Sequence, residues 1–462
     1  MNENTMNNPL ATERIGKLLL QYAIPCIISL LIGSLYNIVD QIFIGHGVGY
    51  LGNCAVSILF PLTVIGLAIA QFIGDGAAAH LSLCQGRNDT KRFNLCLGNG
   101  LMLGLVLSII YMIIFYLFSN KILTAFGATG ETLSLTKEYG VVIFMGMPFY
   151  VVSNLLSSVI RADGSPQYSM LAMSVGAIFN IVFDPIFIFA FDMGVLGAAI
   201  ATIAGQVISC VIAVAYLWKS KTFRLNKDSF RLKPQEALKA LPLGISSFLT
   251  QLGIVLSSAV SNMLLAKHGA GTIYGSDIPV AVQGIVMKVF AIVISIALGL
   301  AVGAQPIIGF NYSAKNYQRV KSTFKLVIVL TVIVSAIATI MFEFFPTLIL
   351  RIFGDGGEVY MEYGLFSFRV YLSLIIFTCI QKISSIFLQA IGKPTSSILV
   401  SISRDLIFQL CFMIIFANIF GLFGVLYAGP ATDILALIVS VIFVSWEWRK
   451  MSGTGKTTVS QN

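Results

Sequence analysis

Residues 219–239, KSKTFRLNKDSFRLKPQEALK, form the longest charged connection in a chain of 462 residues. Of the whole sequence, 57% is hydrophobic and only 11% is charged. A soluble domain carries about 25% charged residues. The composition therefore predicts a polytopic membrane protein, in which this connection lies outside the bilayer and separates two apolar halves.

The apolar runs on both sides of this connection are long enough to cross a membrane. A hydrocarbon core ~30 Å thick needs about 20 apolar residues per helix. This rule predicts an all-α polytopic membrane protein with twelve transmembrane helices. The predicted spans lie near 16–44, 52–80, 93–118, 138–160, 168–191, 195–218, 237–266, 279–309, 322–346, 361–389, 395–418 and 422–446.

These spans divide the chain into two lobes of six helices. We expect an N-lobe over residues 1–218, a cytoplasmic linker over 219–236, a C-lobe over 237–446 and a disordered cytoplasmic tail over 447–462. The polar N-terminus has no short apolar segment followed by a small-residue cleavage site, so a cleaved signal peptide is not expected.

The net charge of +9 is explained by topology. Of the 29 Lys and Arg residues, 21 fall on the side that carries both termini, and only Lys121, Lys137, Lys267 and Arg351 fall on the other. The positive-inside rule then predicts cytoplasmic termini and a multi-pass protein of the cytoplasmic membrane. This distribution argues against a nucleic-acid partner; the bilayer is the expected surrounding.

The two lobes repeat one another at a constant spacing. An offset of 227 pairs Gly76 with Gly303, Arg92 with Arg319, Phe126-Gly127 with Phe353-Gly354, Ser158 with Ser385, and Gly194-x-x-Gly197 with Gly421-x-x-Gly424. Because each lobe has an even number of spans, both enter the membrane from the same side and are pseudo-symmetric parallel repeats. Secondary transporters are often built so, with a binding cavity between the repeats. Channels and membrane enzymes can also be duplicated, so the repeat favours transport but leaves those classes open.

An acidic residue interrupts the fifth predicted span, FNIVFDPIFI at 179–188. Asn180 and Asp184 are four residues apart and share one helix face. Pro185 has no N–H, so the carbonyl of Ile181 loses its helical partner. An intramembrane Asp costs ~2.5–3.5 kcal/mol on insertion scales and is usually functional. The stretch offers oxygen ligands for Na⁺ or a carboxyl group that can carry a proton.

Two other polar residues are expected at a similar depth. Asp40 on the first span and Thr202 on the sixth lie ~8–12 Å from the end of the membrane opposite the termini, at 1.5 Å per residue. The structural alternative is that Asp184 only caps or kinks its helix and that Asp40 lies at the interface. Taken together with Asn180 and Pro185, the set favours a functional site.

Several stretches resemble the MATE (multidrug and toxic compound extrusion) family of transporters, closest to its MepA-like and DinF-like branches. They are Pro25 with DQIFIG (40–45), RADGSP (161–166), NIVFDPIFIF (180–189) running into GVLGAAIATIAGQ (194–206), and QPIIGFNYSAKN (305–316). The resemblance covers nearly the whole chain. It implies two lobes in a V around a central cavity, and an antiporter that exports organic, often cationic or aromatic, compounds against H⁺ or Na⁺.

The same resemblance implies where the coupling cation binds: Asp40, Asn180, Asp184 and Thr202. It also implies a protein that works without a cofactor, is expected to be a monomer, and takes small organic substrates. The chain departs from the NorM-like branch, which uses a glutamate on its seventh helix, because residues 237–266 contain no Asp or Glu. A C-lobe cation site of that kind is therefore not expected.

Further residues are candidates for substrate contact or for structural and gating roles. We expect Tyr36, Asn37, Asn154, Met173 and Gln206 to line the N-lobe cavity, because an aromatic ring beside a carboxylate can hold a lipophilic cation. Pro25, Pro185, Arg404, Asp405 and Asp433 are expected to act in structure or gating. Adjacent Arg404 and Asp405 should point to different helix faces, each paired with another helix.

Other functions lack their sequence signatures. The His and Cys residues do not have the spacing of a metal site. The one metal ion that could bind is Na⁺, at the oxygen ligands described above. The tail SGTGKTT (452–458) lacks the first glycine of a P-loop, because Lys450 stands there. A prenyltransferase would need D-D-x-x-D, which is absent. An alternative within transport is a flippase or exporter of a lipid-linked or amphipathic metabolite.

Overall fold

The computed structural model describes residues 9–87, 89–128, 130–230, 234–353 and 357–453. Within these ranges all regular structure is helical. The helices are α1 Ile15–Gly47, α2 Tyr50–Arg87, α3 Thr90–Ala125, α4 Gly130–Ala162, α5 Pro166–Pro185, α6 Gly194–Ala215, α7 Pro234–Gly269, α8 Asp277–Ser313, α9 Tyr317–Phe344, α10a Glu358–Tyr371, α10b Ile375–Ala390, α11a Pro394–Ile402, α11b Gln409–Phe420 and α12 Leu422–Gly453.

Short helical segments complete the fold. Two of them are π-helical: Ile186–Ala190 continues α5, and Ser403–Phe408 joins α11a to α11b. The others are Pro9–Thr12, Tyr216–Trp218, Lys227–Phe230 and Pro346–Phe353.

The helices confirm the all-α polytopic prediction. Among the described residues, eleven helical segments are long and apolar enough to cross a membrane if α11a through α11b, Pro394–Phe420, is counted as one. The pair α10a and α10b makes a twelfth if it is one broken span, bent by 46°. The sequence predicted one unbroken span over 361–389; the structure interrupts it after Tyr371 and resumes it at Ile375.

Two predicted boundaries differ from the structure. Helix α7 begins at Pro234, inside the expected linker, and α12 continues to Gly453, so residues 447–453 of the expected disordered tail are helical. Lys450 pairs with Glu447 at 3.0 Å, and the Trp448 ring packs against Phe324 of α9, which explains the extension. Residues 454–462 lie outside the described residues.

Outward-facing apolar side chains mark the surface that contacts lipid. On α3 they recur every three or four residues, at one helical face: Val106, Ile109, Ile110, Ile113, Ile114 and Leu117. Leu117 is 71% exposed, a value that only a hydrocarbon surrounding makes favourable over such a long stripe.

The two lobes meet along α1 with α8 and α2 with α7. A Cβ on Gly303 would lie 2.6 Å from Ala23 Cα, and one on Gly244 would lie 1.6 Å from the Phe72 carbonyl oxygen. Only glycine permits such close backbone approach. All four residues lie in the parts of their helices nearest the termini, so these contacts hold the two lobes together at that end.

Polar bridges continue both crossings deeper into the bundle. Ser34 and Ser295 join α1 to α8 with Oγ atoms 2.9 Å apart, and the Gln251 amide donates to Gln71 Oε1 at 2.8 Å between α7 and α2. The first turns of α1 share an apolar cluster with C-lobe residues, so α1 belongs mechanically to both lobes.

The internal repeat is visible as a repeated contact. Ser157 and Ser169 join α4 to α5 with Oγ atoms 2.6 Å apart, and Ser385 and Ser397 join α10b to α11a at 3.1 Å. These pairs are related by an offset of 228. The structural counterpart of Ser385 is therefore Ser157 and not Ser158, because one residue is inserted locally in the second repeat.

Candidate functional site in the first lobe

Two carboxyl groups meet inside the N-lobe. Asp40 lies on α1 with 6% of its surface exposed, and Asp184 lies on α5 with none exposed. The two side chains are close enough for a hydrogen bond between them. Such a bond requires a proton on one carboxyl, because two ionised carboxylates have no hydrogen to donate.

Asn180 connects Asp184 to the third helix of the site. Its amide nitrogen donates to Asp184 Oδ1 at 2.9 Å and to Thr202 Oγ1 on α6 at 3.1 Å. Asn180 is buried, and Thr202 is 9% exposed. The structure thus brings together all four residues that were expected to hold the coupling cation.

A pair of glycines explains why α5 and α6 lie close enough for this contact. A Cβ on Gly176 would lie 2.4 Å from the Gly205 carbonyl oxygen, and a Cβ on Gly205 would lie 2.5 Å from that of Gly176. Gly176 is one turn before Asn180, and Gly205 is one turn after Thr202. The close crossing therefore sets the distance between the two polar side chains.

The end of α5 is shaped by Pro185 and by a tight turn. The α-helical pattern stops at Pro185 and continues as the π-helical segment Ile186–Ala190, as expected where a proline removes an N–H donor. The chain then reverses into α6 through Asp192 and Gly194, both with positive φ. Asp184 therefore lies where the helix geometry changes.

Three buried oxygen atoms at this site have no donor among the described residues: Asp40 Oδ1, Asn180 Oδ1 and Asp184 Oδ2. Buried polar atoms are normally satisfied, and unsatisfied ones cost roughly 1–3 kcal/mol each. No Lys or Arg of the described chain forms an ion pair with either carboxyl. The donor set of oxygens alone fits a hard cation such as Na⁺, or a proton shared between the carboxyls.

Tyr139 of α4 completes the site, and the sequence analysis missed it. Its side chain lies next to Thr202 and within electrostatic range of Tyr36, Asp40 and Asp184. The side chain is 5% exposed. Helical spacing could not reveal this tyrosine, because it lies on a different helix from the other residues of the site.

The five candidate substrate residues are spread over several environments. Tyr36 is half-buried beside Asp40 and Asp184. The side-chain amides of Asn37 and Asn154 donate to carbonyls of their own helices, Gly33 and Tyr150 respectively.

Met173 and Gln206 are both partly buried, on α5 and α6. Gln206 lies against Gly146 of α4, where a Cβ would be 2.7 Å from its Oε1. That oxygen has no donor in the described part of the chain. Of the five candidates, Tyr36 is placed directly at the carboxyl pair.

Charged residues in the C-lobe form a closed network. Lys382 Nζ lies 2.5 Å from Asp405 Oδ2, and Arg404 lies 2.9 Å from Asp405 Oδ1. Arg404 also reaches Asp433 Oδ1 at 3.0 Å and donates to Thr378 Oγ1 at 3.1 Å. The network ties α10b, the π-helical segment and α12 together.

The expectation that Arg404 and Asp405 point to different faces is wrong in one respect. Both pair with other helices, but Arg404 also contacts Asp405, since the wide π-helical turn and the long arginine side chain let them meet. Of the remaining residues expected in structural roles, Pro25 is buried inside α1.

A third polar cluster fixes the start of the linker and was also missed. The carboxylate of Asp163 accepts hydrogen bonds from Tyr216 at 2.6 Å, from the Lys221 amide at 2.8 Å, and from the amide and hydroxyl of Thr222. Burial raises the pKa of the Asp163 carboxyl, and the hydrogen bonds from Thr222 and Tyr216 oppose that effect. Asp163 therefore anchors the linker to the loop between α4 and α5.

Known proteins resemble this chain over nearly its whole length. The multidrug export protein MepA of Staphylococcus aureus is 27% identical over 439 residues, covering 93% of each chain. The crystal structure of MATE in the straight conformation superposes with a TM-score of 0.88 at 22% identity, covering 98% of this chain and 100% of that one.

A second solved structure is the outward-facing conformation of a multidrug resistance MATE family transporter. It superposes with a TM-score of 0.88 at 23% identity and covers 98% of this chain and 99% of that one. Residues 25–186 and 246–428 match the MatE family, one segment in each lobe. The chain therefore belongs to the MatE family, whose members are membrane transporters and not enzymes.

Proposed function

We propose that this protein is a cation-coupled antiporter that exports small organic compounds from the cytoplasm across the cytoplasmic membrane. The coupling cation, H⁺ or Na⁺, binds at Asp40 and Asp184 with Asn180 and Thr202. The contact between the two buried carboxyl groups is the observation that carries the proposal. The name of the relative MepA, a multidrug export protein, supports the direction of transport and a broad substrate class.

The energetics of the carboxyl pair supply the coupling. Two ionised carboxylates in contact inside a membrane repel each other, so the doubly ionised state requires a compensating cation. A proton or Na⁺ that enters the site removes this repulsion and lets α1 and α5 approach. A positively charged substrate is attracted to the same carboxylates. It therefore binds better when the coupling cation has left the site.

Helix α1 connects this local event to the arrangement of the lobes. Its first turns pack into a cluster with C-lobe residues, while its later part carries Asp40. A change in cation occupancy therefore acts on a helix that both lobes share. A cation shifts the equilibrium between two conformations only if it binds one of them more strongly. A site divided between α1 and α5 meets this condition when the two helices move relative to each other.

The substrate class follows from the chemistry beside the carboxyl pair. Tyr36 and Tyr139 place aromatic rings next to two acids, a combination that favours lipophilic cations. Export of aromatic cationic compounds is therefore the activity that this group of side chains suits best.

Dye efflux from everted membrane vesicles tests the proposal. A pH gradient and a Na⁺ gradient are imposed separately, with a fluorescent lipophilic cation as the transported dye. The wild type should respond to at least one gradient, and Asp40→Asn and Asp184→Asn should lose that response while inserting normally. Asp192→Asn, in the turn after α5, is the matched control and should respond like the wild type. Dye movement that ignores both gradients, or scrambling of lipid in its place, would overturn the proposal.

A further inference from the structure

The two lobes place polar clusters on equivalent helices but balance the charge differently. In the N-lobe the cluster lies on α1, α4, α5 and α6. In the C-lobe it lies on α10b, the π-helical segment after α11a, and α12, which are the counterparts of α4, α5 and α6 in the repeat. The helices that carry the two clusters are related by the internal duplication.

The repeat fixes which positions correspond. An offset of 227, which also relates the paired glycines at the starts of α6 and α12, places Asp433 opposite Gln206. The serine contacts between α4 and α5 and between α10b and α11a give a local offset of 228, which places Lys382 opposite Asn154. The counterpart of Thr202 on α12 is Gly429. Asp433 lies one helical turn after Gly429, which places it ~6 Å closer to the membrane side that carries the termini.

The charges of the two clusters differ in one essential way. In the N-lobe, Asp40 and Asp184 leave an orphaned oxygen each and have no basic partner among the described residues. In the C-lobe, two carboxylates meet two basic side chains, and Lys382 and Arg404 together occupy both oxygens of Asp405. Lys382 is only 7% exposed. The C-lobe cluster is therefore complete without any external ion.

We propose that the ammonium group of Lys382 is a tethered cation, which fills in the C-lobe the role that an exchangeable cation fills in the N-lobe. The proposal rests on the proposed function in that it assigns cation exchange to the N-lobe alone. Lys382 removes the requirement for a second coupling ion by holding Asp405 permanently neutralised. The C-lobe cluster then stays fixed while the N-lobe site fills and empties.

The ammonium group of Lys382 has the chemistry needed to replace a bound cation at Asp405. An ammonium group is a compact point charge on a flexible stem, with three donors and a charge equal to that of Na⁺. Its nitrogen lies 2.5 Å from Asp405 Oδ2, in direct contact with the carboxylate. Removal of one partner of a buried pair leaves an uncompensated charge, which is strongly destabilising. A small cation of matching charge and size should then enter the vacated place.

Chemical rescue of Lys382→Ala tests the proposal on the full-length purified protein in detergent. The probe is ethylammonium chloride, with tetraethylammonium chloride at the same ionic strength as an oversized control. We expect the melting temperature of K382A to fall by several degrees. Ethylammonium should restore it, and tetraethylammonium should not. Lys288→Ala, which removes another intramembrane lysine, is the matched control and should not respond to either salt.

A charge-balanced double variant keeps the test decisive if K382A folds poorly. K382A/D405N should be more stable than K382A or Asp405→Asn alone and should be insensitive to ethylammonium, because the vacated place no longer has a carboxylate. Equal shifts by ethylammonium in the wild type and K382A, an unchanged melting temperature in K382A, or a double variant no better than the singles would each overturn the proposal.

The same measurement separates this proposal from the proposed function. Ethylammonium rescue should persist when Asp184→Asn is added to K382A, because the two clusters are independent and melting requires no transport. Loss of the rescue in that background would overturn the tethered-cation assignment. Full gradient-driven export by D184N would instead overturn the N-lobe coupling site and leave the rescue at Lys382 untouched.

Discussion

The carboxyl group of Asp40 on α1 contacts that of Asp184 on α5, inside a lobe where neither has a basic partner among the described residues. The contact joins the helix that both lobes share to a helix that belongs to the N-lobe alone. A cation at this point can therefore change the relation between the lobes as well as the local charge.

The hydroxyl of Thr202 should strengthen cation binding through its place in the hydrogen-bonded set. Thr202→Val keeps the shape and removes one of the two acceptors of the Asn180 amide, so that amide retains only its bond to Asp184 and one buried N–H loses its partner. We expect the apparent affinity for the coupling cation to fall roughly fivefold to tenfold, from ~1–1.4 kcal/mol. The cation dependence of dye efflux measures this.

A matched control for this variant is Thr136→Val on α4, another buried threonine whose hydroxyl bonds only its own helix backbone, at Thr132. It should leave the cation dependence as in the wild type. Equal effects of the two variants would show that the loss at Thr202 is a general consequence of burying valine.

The crossing of α5 and α6 should tolerate no side chain at Gly176. Gly176→Ala places a methyl group 2.4 Å from the Gly205 carbonyl oxygen, so the helices must separate and the Asn180–Thr202 hydrogen bond must lengthen. Gradient-driven efflux should drop at least tenfold while the protein still inserts. Gly284→Ala on α8, where a Cβ meets nothing within 4 Å, should be silent. Wild-type efflux by G176A would contradict this account of the site.

Closure of the lobes near the termini should depend on Gly244 of α7. Gly244→Val places a branched side chain against the Phe72 carbonyl, where even a Cβ would approach to 1.6 Å, so α2 and α7 cannot meet. We expect transport to stop and the cleft to be held open at the end nearest the termini. Cysteine accessibility from that side measures the opening, with Gly16→Ala, in open space on α1, as the control.

The anchor of the linker should contribute to stability and not to transport chemistry. Asp163→Asn replaces an acceptor of several hydrogen bonds with a group that presents an N–H₂ toward donors such as the Tyr216 hydroxyl and the Lys221 amide. The melting temperature should fall by several degrees, since hydrogen bonds to a charged group contribute ~1.5–3 kcal/mol each. Asp192→Asn is again the control. A change in cation dependence without loss of stability would contradict a purely anchoring role.

Much of this architecture could be predicted from the sequence, because it depends on simple physical quantities. Span lengths follow from bilayer thickness, and the duplication follows from residues such as Gly76 and Gly303 that recur at one spacing. The site residues Asn180 and Asp184 were identifiable because their spacing and the neighbouring Pro185 are local features of one helix. The contact of Asp184 with Asp40 is a tertiary fact that depth alone did not determine.

Other features depend on contacts between distant segments and could not be predicted. Tyr139 reaches Thr202 from another helix, and Asp163 binds residues of the linker more than fifty positions away. The π-helical turn that lets Arg404 meet Asp405 has no composition signal, because its residues suit an ordinary α-helix equally well. Helix continuation to Gly453 depends on Trp448 packing against α9.

Countertransport in proteoliposomes tests cation coupling at Asp40 and Asp184. A gradient of the lipophilic cationic dye alone is imposed, with no ion gradient, and the movement of H⁺ and of Na⁺ in the opposite direction is recorded. We predict that dye movement through the wild-type protein drives one of these cations the other way, and that Asp184→Asn abolishes the cation movement. Dye transport by the wild type without any opposing cation movement, or undiminished countertransport by D184N, would contradict it.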